Sequence, residues 1–425
     1  MAANPKPAAL ALMPTFGFGD RLGLATHGHL DALKAHGGPI LPIFAQQSIR
    51  EMTRTKRSPK EVMQAAVQAL KIERYTGPWG ADADHLKTQA DADVTAAAGF
   101  IFFTLDPSEH VDQQADSYDE ATLEAKFKAV ENEINWISQY EEQSFKLKGR
   151  QSVKFDRLTV RRAAVKYGRA INHTIKLASY IQFITAKAGQ ECEIELSVDE
   201  TPQPTAPAEH YILADQCLKA GIKLVSLAPR LVGDFEKGVD YKGDLAVFEK
   251  SLTTHANIAR TLGPYKLSLH SGSDKLSIYS ALARITKGQF HVKTAGTSYL
   301  EALRVVARHE PKLFRQIVEF ARTHYLADKA TYHVSATLEG VPEPAQVGDD
   351  AELETLYLDD WAQTPAGKGF TRPGRQILHC TFGSVLTDGS LGPALKGVLQ
   401  AHPDTHRRIL AEHFGRHLDA LGQGL

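Results

Sequence analysis

The sequence predicts an α/β fold, a closed (β/α)8 TIM-type barrel carrying helical and loop insertions. Three observations carry this. Short runs rich in β-branched and aromatic residues alternate with longer amphipathic stretches along most of the 425 residues, a rhythm that implies parallel strands joined by crossover helices. The runs suited to a main sheet are RLGLA, PILPIFA, GADADH, GFIFFTLD, CEIELSVD, IKLVSLA, YKLSLHS and FHVKTAG, the number that closes a barrel. Most of them end in polar or ionisable residues, as barrel strands do when their carboxyl ends carry chemistry.

Each element follows in order. A tail over 1–15 precedes a single catalytic domain over 16–425. The glycine-rich FGFGDRLG reads as a tight turn rather than a nucleotide loop, since it fits neither GxGxxG nor GxxxxGK[ST]. Arg21 and the turn amides are placed to reach an anionic group. After PILPIFA come Gln46, Gln47 and Arg50, whose amides and guanidinium suit the hydroxyls and carboxylate of a sugar acid. GADADH closes with Asp84 and His85. Strand alternation puts Asp82 and Asp84 on one face and His85 on the other, so a metal shared by Asp84 and His85 requires a bend between them.

GFIFFTLD ends at Asp106 and leads into a helical insertion over about 107–187, suited to a lid or an oligomer contact. In CEIELSVD, Glu195, Ser197 and Asp199 share a face, with Glu200 following. YKLSLHS delivers His270 to a Ser-Gly-Ser turn, beyond which Asp274 and Lys275 are expected as sugar contacts. FHVKTAG supplies His291 and Lys293. Two later runs, ATYHVSA and RQILHCTFGS, are strand-like and extend or cap the barrel. The Pro-, Gly- and acid-rich stretch over about 338–375 reads as a loop excursion.

The charge balance excludes some partners. With 49 basic and 50 acidic residues, no global field favours nucleic acid or an anionic membrane, and a small molecule is the expected partner. A homo-oligomer is compatible with the helical insertion. Three cysteines without CxxC spacing argue against a disulfide framework or a thiolate zinc site and fit a reducing cytoplasm. No export signal is read at the start, and no apolar run approaches the length of a membrane span.

A strand-end Asp is often a helix cap, and a lone His is usually a satisfied polar side chain. Several histidines and carboxylates at corresponding strand ends are a different matter. They match the oxygen and nitrogen donors of a divalent cation such as Mn, Ni, Co or Zn, in an open catalytic site rather than a structural one. A metal-dependent sugar aldolase or isomerase has the same ligand set. A non-catalytic sugar-binding protein has less use for so many ionisable groups.

The motifs FGFGDRLGLAT, PIFAQQSIRE, GADADH, DPSEHV, ELSVDET, DYKGDLAVFE, SLHSGSDK, FHVKTAGTSYLEA and FGSVL occur in that order from Phe16 to Leu386. Together they resemble the tagaturonate epimerase family, to which tagatose 4-epimerases are related. The resemblance implies a barrel enzyme, a divalent metal, and interconversion of D-tagaturonate and D-fructuronate by inversion at carbon 4. It places the acid/base carboxylates at Asp84 and Glu195 and the metal ligands at His85, His270 and His291. Asp199, Asp274, Lys275 and Lys293 then fall among the substrate contacts. The sequence departs from the family pattern at His27, Leu276 and Ser280, beside the expected active-site loops, which leaves room for the neutral ketoses fructose and tagatose.

Overall fold

The structure is a computed structural model and describes residues 5–425. Ten strands form in chain order: β1 (Thr15–Gly19), β2 (Leu41–Ser48), β3 (Gly80–Leu86), β4 (Phe102–Leu105), β5 (Gln143–Lys146), β6 (Ser152–Phe155), β7 (Glu193–Val198), β8 (Leu224–Pro229), β9 (Lys266–Leu269) and β10 (Phe290–Thr294). Eight of them close a barrel in the order β1-β10-β9-β8-β7-β4-β3-β2, while β5 and β6 form a separate two-stranded ribbon. Every barrel pairing is parallel. The predicted (β/α)8 architecture is therefore observed.

The first strand lies one segment earlier than expected. TFGFG forms β1, and RLGLA is a turn in which the Asp20 carboxylate accepts from the backbone N–H groups of Leu22, Gly23 and Ala25. Glycine suits β1 because its neighbours crowd it. A Cβ on Gly19 would lie 2.3 Å from the Thr294 carbonyl oxygen on β10.

ATYHVSA forms no regular strand, and RQILHC lies in a helix, Gly374–Cys380, buried at every residue. A run buried on all sides, polar residues included, has no amphipathic period, so its pattern alone does not separate helix from strand. Sheet closure between β1 and β10 also leaves no edge for a further strand.

The segment over 107–187 holds the helix Glu120–Val130, the β5–β6 ribbon and the 31-residue helix Arg157–Lys187. That long helix, capped by Asp156, lies on the crossover from β4 to β7. The stretch over 338–375 is more ordered than expected and carries the helix Asp350–Leu358, capped by Asp349. Within the tail, the Ala8 N–H donates to the Trp79 carbonyl, and Leu10 packs on Ile43 and Phe102 at the amino-terminal end of the barrel. Among the described residues no helix is long and apolar enough to cross a membrane.

Two apolar bodies hold the frame. One lies between the strands and the helices of the first two thirds of the chain together with the C-terminal helix Pro403–Gly422, with Phe16, Phe18, Phe44 and Trp79 among its largest members. The other joins the helices Thr297–His309, Pro311–Asp328, Asp350–Leu358 and Gly374–Cys380. Each fully buried Leu or Phe in them contributes about 1.5–3 kcal/mol.

Candidate active site

Inside the barrel the expected aliphatic filling is largely replaced by ionisable side chains in layers. Period-two alternation turns residues i and i+2 of a strand inward, about 6.6 Å apart along it. The lower layer includes Thr15, Lys266 and His291, with Lys266 Nζ donating to Thr15 Oγ1 at 3.1 Å and His291 Nδ1 lying 2.9 Å from the same hydroxyl. Above it Lys293 Nζ sits among three carboxylates, 2.7 Å from Asp82, 2.8 Å from Asp84 and 3.0 Å from Glu195. It also donates to Thr104, whose hydroxyl bridges Asp82 and Glu195 at 3.0 and 3.2 Å. Burial opposes a charged Lys293, but the surrounding carboxylates raise its pKa, so it stays an ammonium.

The top layer opens on a cavity of about 670 Å³. His85, at the carboxyl end of β3, has φ +55° beside a register shift between Ala83 and Leu86. This is the bend that alternation required. It brings His85 Nδ1 to 2.7 Å from Asp84 Oδ1, while His85 Nε2 lies 3.8 Å from both Asp199 and Glu200. His270, just beyond β9, has Nε2 2.7 Å from Glu195 Oε1 and Nδ1 3.3 Å from Asp199 Oδ1. Burial disfavours its charged form, yet Asp199 and Glu195 raise its pKa to about 9. Burial opposes the charged form of His85 too, but Asp84, Asp199 and Glu200 together raise it well above its usual value.

Donor atoms of Asp84, His85 and His270 lie within 4.8 Å of one another. One carboxylate and two imidazoles make a ligand set for a borderline divalent cation. The electrostatics fit such an ion. Asp82, Asp84, Glu195, Asp199 and Glu200 crowd this layer, and the cations in contact with them there are Lys293 and Arg50, the latter paired with Glu200 at 3.1 Å. The surplus negative charge draws protons onto both imidazoles, and a cation bound to them takes the place of those protons. The buried Glu195 Oε2 has no hydrogen-bond partner.

The walls suit a polyhydroxylated ligand. Gln46, Arg21, Ser268 and His379 line the cavity, and each holds a buried polar atom that nothing in the protein satisfies. Leaving such an atom unpaired costs about 1–3 kcal/mol.

A family model described as tagaturonate epimerase matches residues 2–421. The chain belongs to the tagaturonate epimerase family. It is 40% identical over 416 residues to the tagaturonate/fructuronate epimerase of Thermotoga maritima, covering 98% of this chain and 82% of that one. Two solved structures of the fructuronate-tagaturonate epimerase from Cohnella laeviribosi share its fold. The glycerol complex superimposes with a TM-score of 0.89 at 37% identity, and the native form with 0.87 at 36%, each covering 98% of this chain and 83% of the other. The enzyme is thus an epimerase of the isomerase class.

This epimerase places the residues expected from its sequence in three groups. Arg21, Gln46, Arg50, Asp84, His85, Asp199, His270 and Lys293 line the cavity. Arg21 is not a free anion receptor, because its guanidinium pairs at 2.7 Å with the buried Glu51 and stacks over Phe382. Glu195 stands directly behind His270, fully buried.

The remaining residues lie elsewhere. His291 is in the layer below Lys293, two residues back along β10, and is not among the converging donors. Gln47 is buried off the cavity, with Arg57 donating to its Oε1 at 3.3 Å. Lys275 Nζ donates to the carbonyls of Glu236, Val239 and Ser273 and ties two loops together. Asp274, with φ +62°, turns inward to Arg375, Thr297 and His413 instead of reaching a sugar.

Sequence reasoning missed Lys237, Glu51, Tyr332 and His379 on the cavity wall. They sit on loops and on helices without strand alternation, so no periodic signal marks them. Asp82 and Thr104 were within reach, since both share the inward face of a barrel strand with a residue already singled out or with its partner across the sheet.

Proposed function

We propose that this enzyme interconverts D-tagaturonate and D-fructuronate by inverting carbon 4 of a 2-keto hexuronate, with a divalent cation held by Asp84, His85 and His270. The convergence of those three side chains beneath a polar cavity is the observation that carries this reading. The names of its relatives support the substrate.

Chemistry narrows the route. Carbon 4 is β to the carbonyl, so its hydrogen is not acidic and enolisation does not invert it. Retro-aldol cleavage between carbons 3 and 4, rotation of the aldehyde fragment and re-addition to its other face achieve the inversion. A bound divalent cation supplies Lewis-acid polarisation of substrate oxygens.

The chain's own groups do the rest. Asp84 on the wall takes the proton of the carbon 4 hydroxyl on cleavage and returns it on re-addition, while Glu195, buried behind His270, holds that imidazole in place. Lys293 touches both carboxylates, so when Asp84 takes up the proton its attraction is redirected to Glu195. Gln46, Ser268 and His379 offer their unpaired polar atoms to substrate hydroxyls and hold the aldehyde fragment in place. Fructose and tagatose share the reacting carbons and are slower substrates in this reading, lacking the carboxylate.

Product analysis in deuterated water tests the proposal. Incubation of D-tagaturonate should give D-fructuronate without deuterium at carbon 4, and chelation of the metal should abolish the conversion. Accumulating three-carbon fragments indicate an aldolase, an aldose product indicates an isomerase, and deuterium at carbon 4 rules out the retro-aldol route.

A further inference from the structure

The cations lining the cavity differ in what balances them. Arg21 pairs with Glu51, Arg50 with Glu200, and Lys293 with Asp82, Asp84 and Glu195. His333 at the rim pairs with Asp234. Arg230 has no carboxylate, but its guanidinium caps the Leu231 and Gly233 carbonyls of its own loop. Lys237 stands apart among the described residues. Its ammonium has no carboxylate partner and makes one side-chain hydrogen bond, to Ser271 Oγ at 2.6 Å, one residue beyond His270.

A partly buried ammonium with donors to spare, facing a cavity and in contact with no carboxylate, is free to take a ligand's oxygens as its hydrogen-bond partners. Its position beside Ser271 places it on the same loop cluster as the Asp84–His85–His270 group, within reach of one small ligand. From this we propose that Lys237 is the specificity-determining residue that receives the substrate's carboxylate, with Ser271 fixing its direction. The assignment rests on the hexuronate reading above and deepens it. It also sets the charge class of the substrate. A single ammonium among these carboxylates suits a monoanionic carboxylate, whereas a phosphorylated sugar brings a second negative charge toward Asp199 and Glu200, which already lie on the wall.

Calorimetric titration of the purified enzyme with L-galactonate, which has the carbon 3 to carbon 5 configuration of D-tagaturonate, and with galactitol, its neutral counterpart, isolates the carboxylate from the hydroxyls. Wild type should bind the acid at least about ten-fold more tightly, and Lys237→Met should remove most of that preference while galactitol affinity changes little. Lys237→Arg, which keeps the charge, should retain the preference and controls for a folding defect in the methionine variant.

Equal acid and polyol affinity in wild type overturns the assignment. So does a preference that survives Lys237→Met, or a parallel loss of both ligands in a variant that melts like wild type. An enzyme that shows the Lys237-dependent preference yet leaves D-tagaturonate unconverted refutes the proposed reaction and not this assignment.

Discussion

Asp84, His85 and His270 meet at the open end of the barrel, while Asp274, His413 and His417 meet in a sealed interior between the β9 loop and the helix Pro403–Gly422. The two groups have the same composition and a similar spread of donor atoms. What surrounds them differs. The sealed aspartate is 3.2 Å from Arg375 and 2.9 Å from His413, and its own N–H donates to His417 Nε2 at 3.0 Å. Glu301 lies 3.4 Å from Arg375, and Arg304 donates to it. Its carboxylates and guanidinium groups balance, and a cation approaching His417 has to displace a backbone N–H. The open group has surplus carboxylates, imidazoles held protonated, and a cavity above it. Two histidines and an aspartate become a reactive site only where charge is left unbalanced and solvent can enter.

Substitutions should separate the two groups. The largest effect is expected at the mouth. His270→Ala or Asp84→Asn should lower kcat about 10³-fold or more in initial-rate assays with little change in melting temperature. A comparable loss from His413→Gln at unchanged stability breaks the distinction.

In the sealed group the effect should be on folding. Arg375→Met leaves Asp274 and Glu301 buried beside one cation fewer, at a cost of about 3–5 kcal/mol in urea denaturation. Activity per folded molecule should fall far less than at the mouth.

His291→Gln tests the lower layer. Because His291 contacts Thr15 rather than the converging donors, activity should drop about ten-fold at most, with metal content unchanged. Loss of the metal in this variant returns His291 to the ligand set.

The smallest effect is the pH dependence of stability. Arg304, His413 and Arg375 outweigh burial and hold Glu301 at about 2, below its unfolded value, so its stabilisation is complete above about pH 4.3 and is lost as pH falls toward 2. Burial lowers His417 to about 3, so the unfolded chain binds its proton first, and this histidine costs stability increasingly as pH drops from about 6.5 to 3. Both signs agree. The melting temperature should fall steadily below about pH 6.5, and a flat profile between pH 4 and 6 contradicts it.

What could be read from the sequence follows the same physical division. Strand alternation and polar strand ends are local signals, and they located Asp84, His85, Glu195, His270 and Lys293 in one barrel end. Residues whose fate is set by distant partners were beyond that reading. Asp274 follows a strand and a tight turn as a sugar contact does, yet Arg375, His413 and His417, more than a hundred positions onward, turn it into a core ion pair. His291 shows a finer limit. FHVKTAG was read as supplying both His291 and Lys293 to the mouth, but depth along the strand decides whether an imidazole reaches the mouth or the layer below. RQILHC was read as strand-like and is a helix, since burial on all sides erases the period that distinguishes the two.

The most direct test of this account is the metal content of enzyme dialysed against zinc and then against metal-free buffer, measured by inductively coupled plasma mass spectrometry. Wild type and His413→Gln should each retain about one cation per chain, and the double variant His85→Ala/His270→Ala should retain none while melting as wild type does. A cation kept by the double variant, or lost from folded His413→Gln, contradicts the assignment of the open group as the metal and reaction centre.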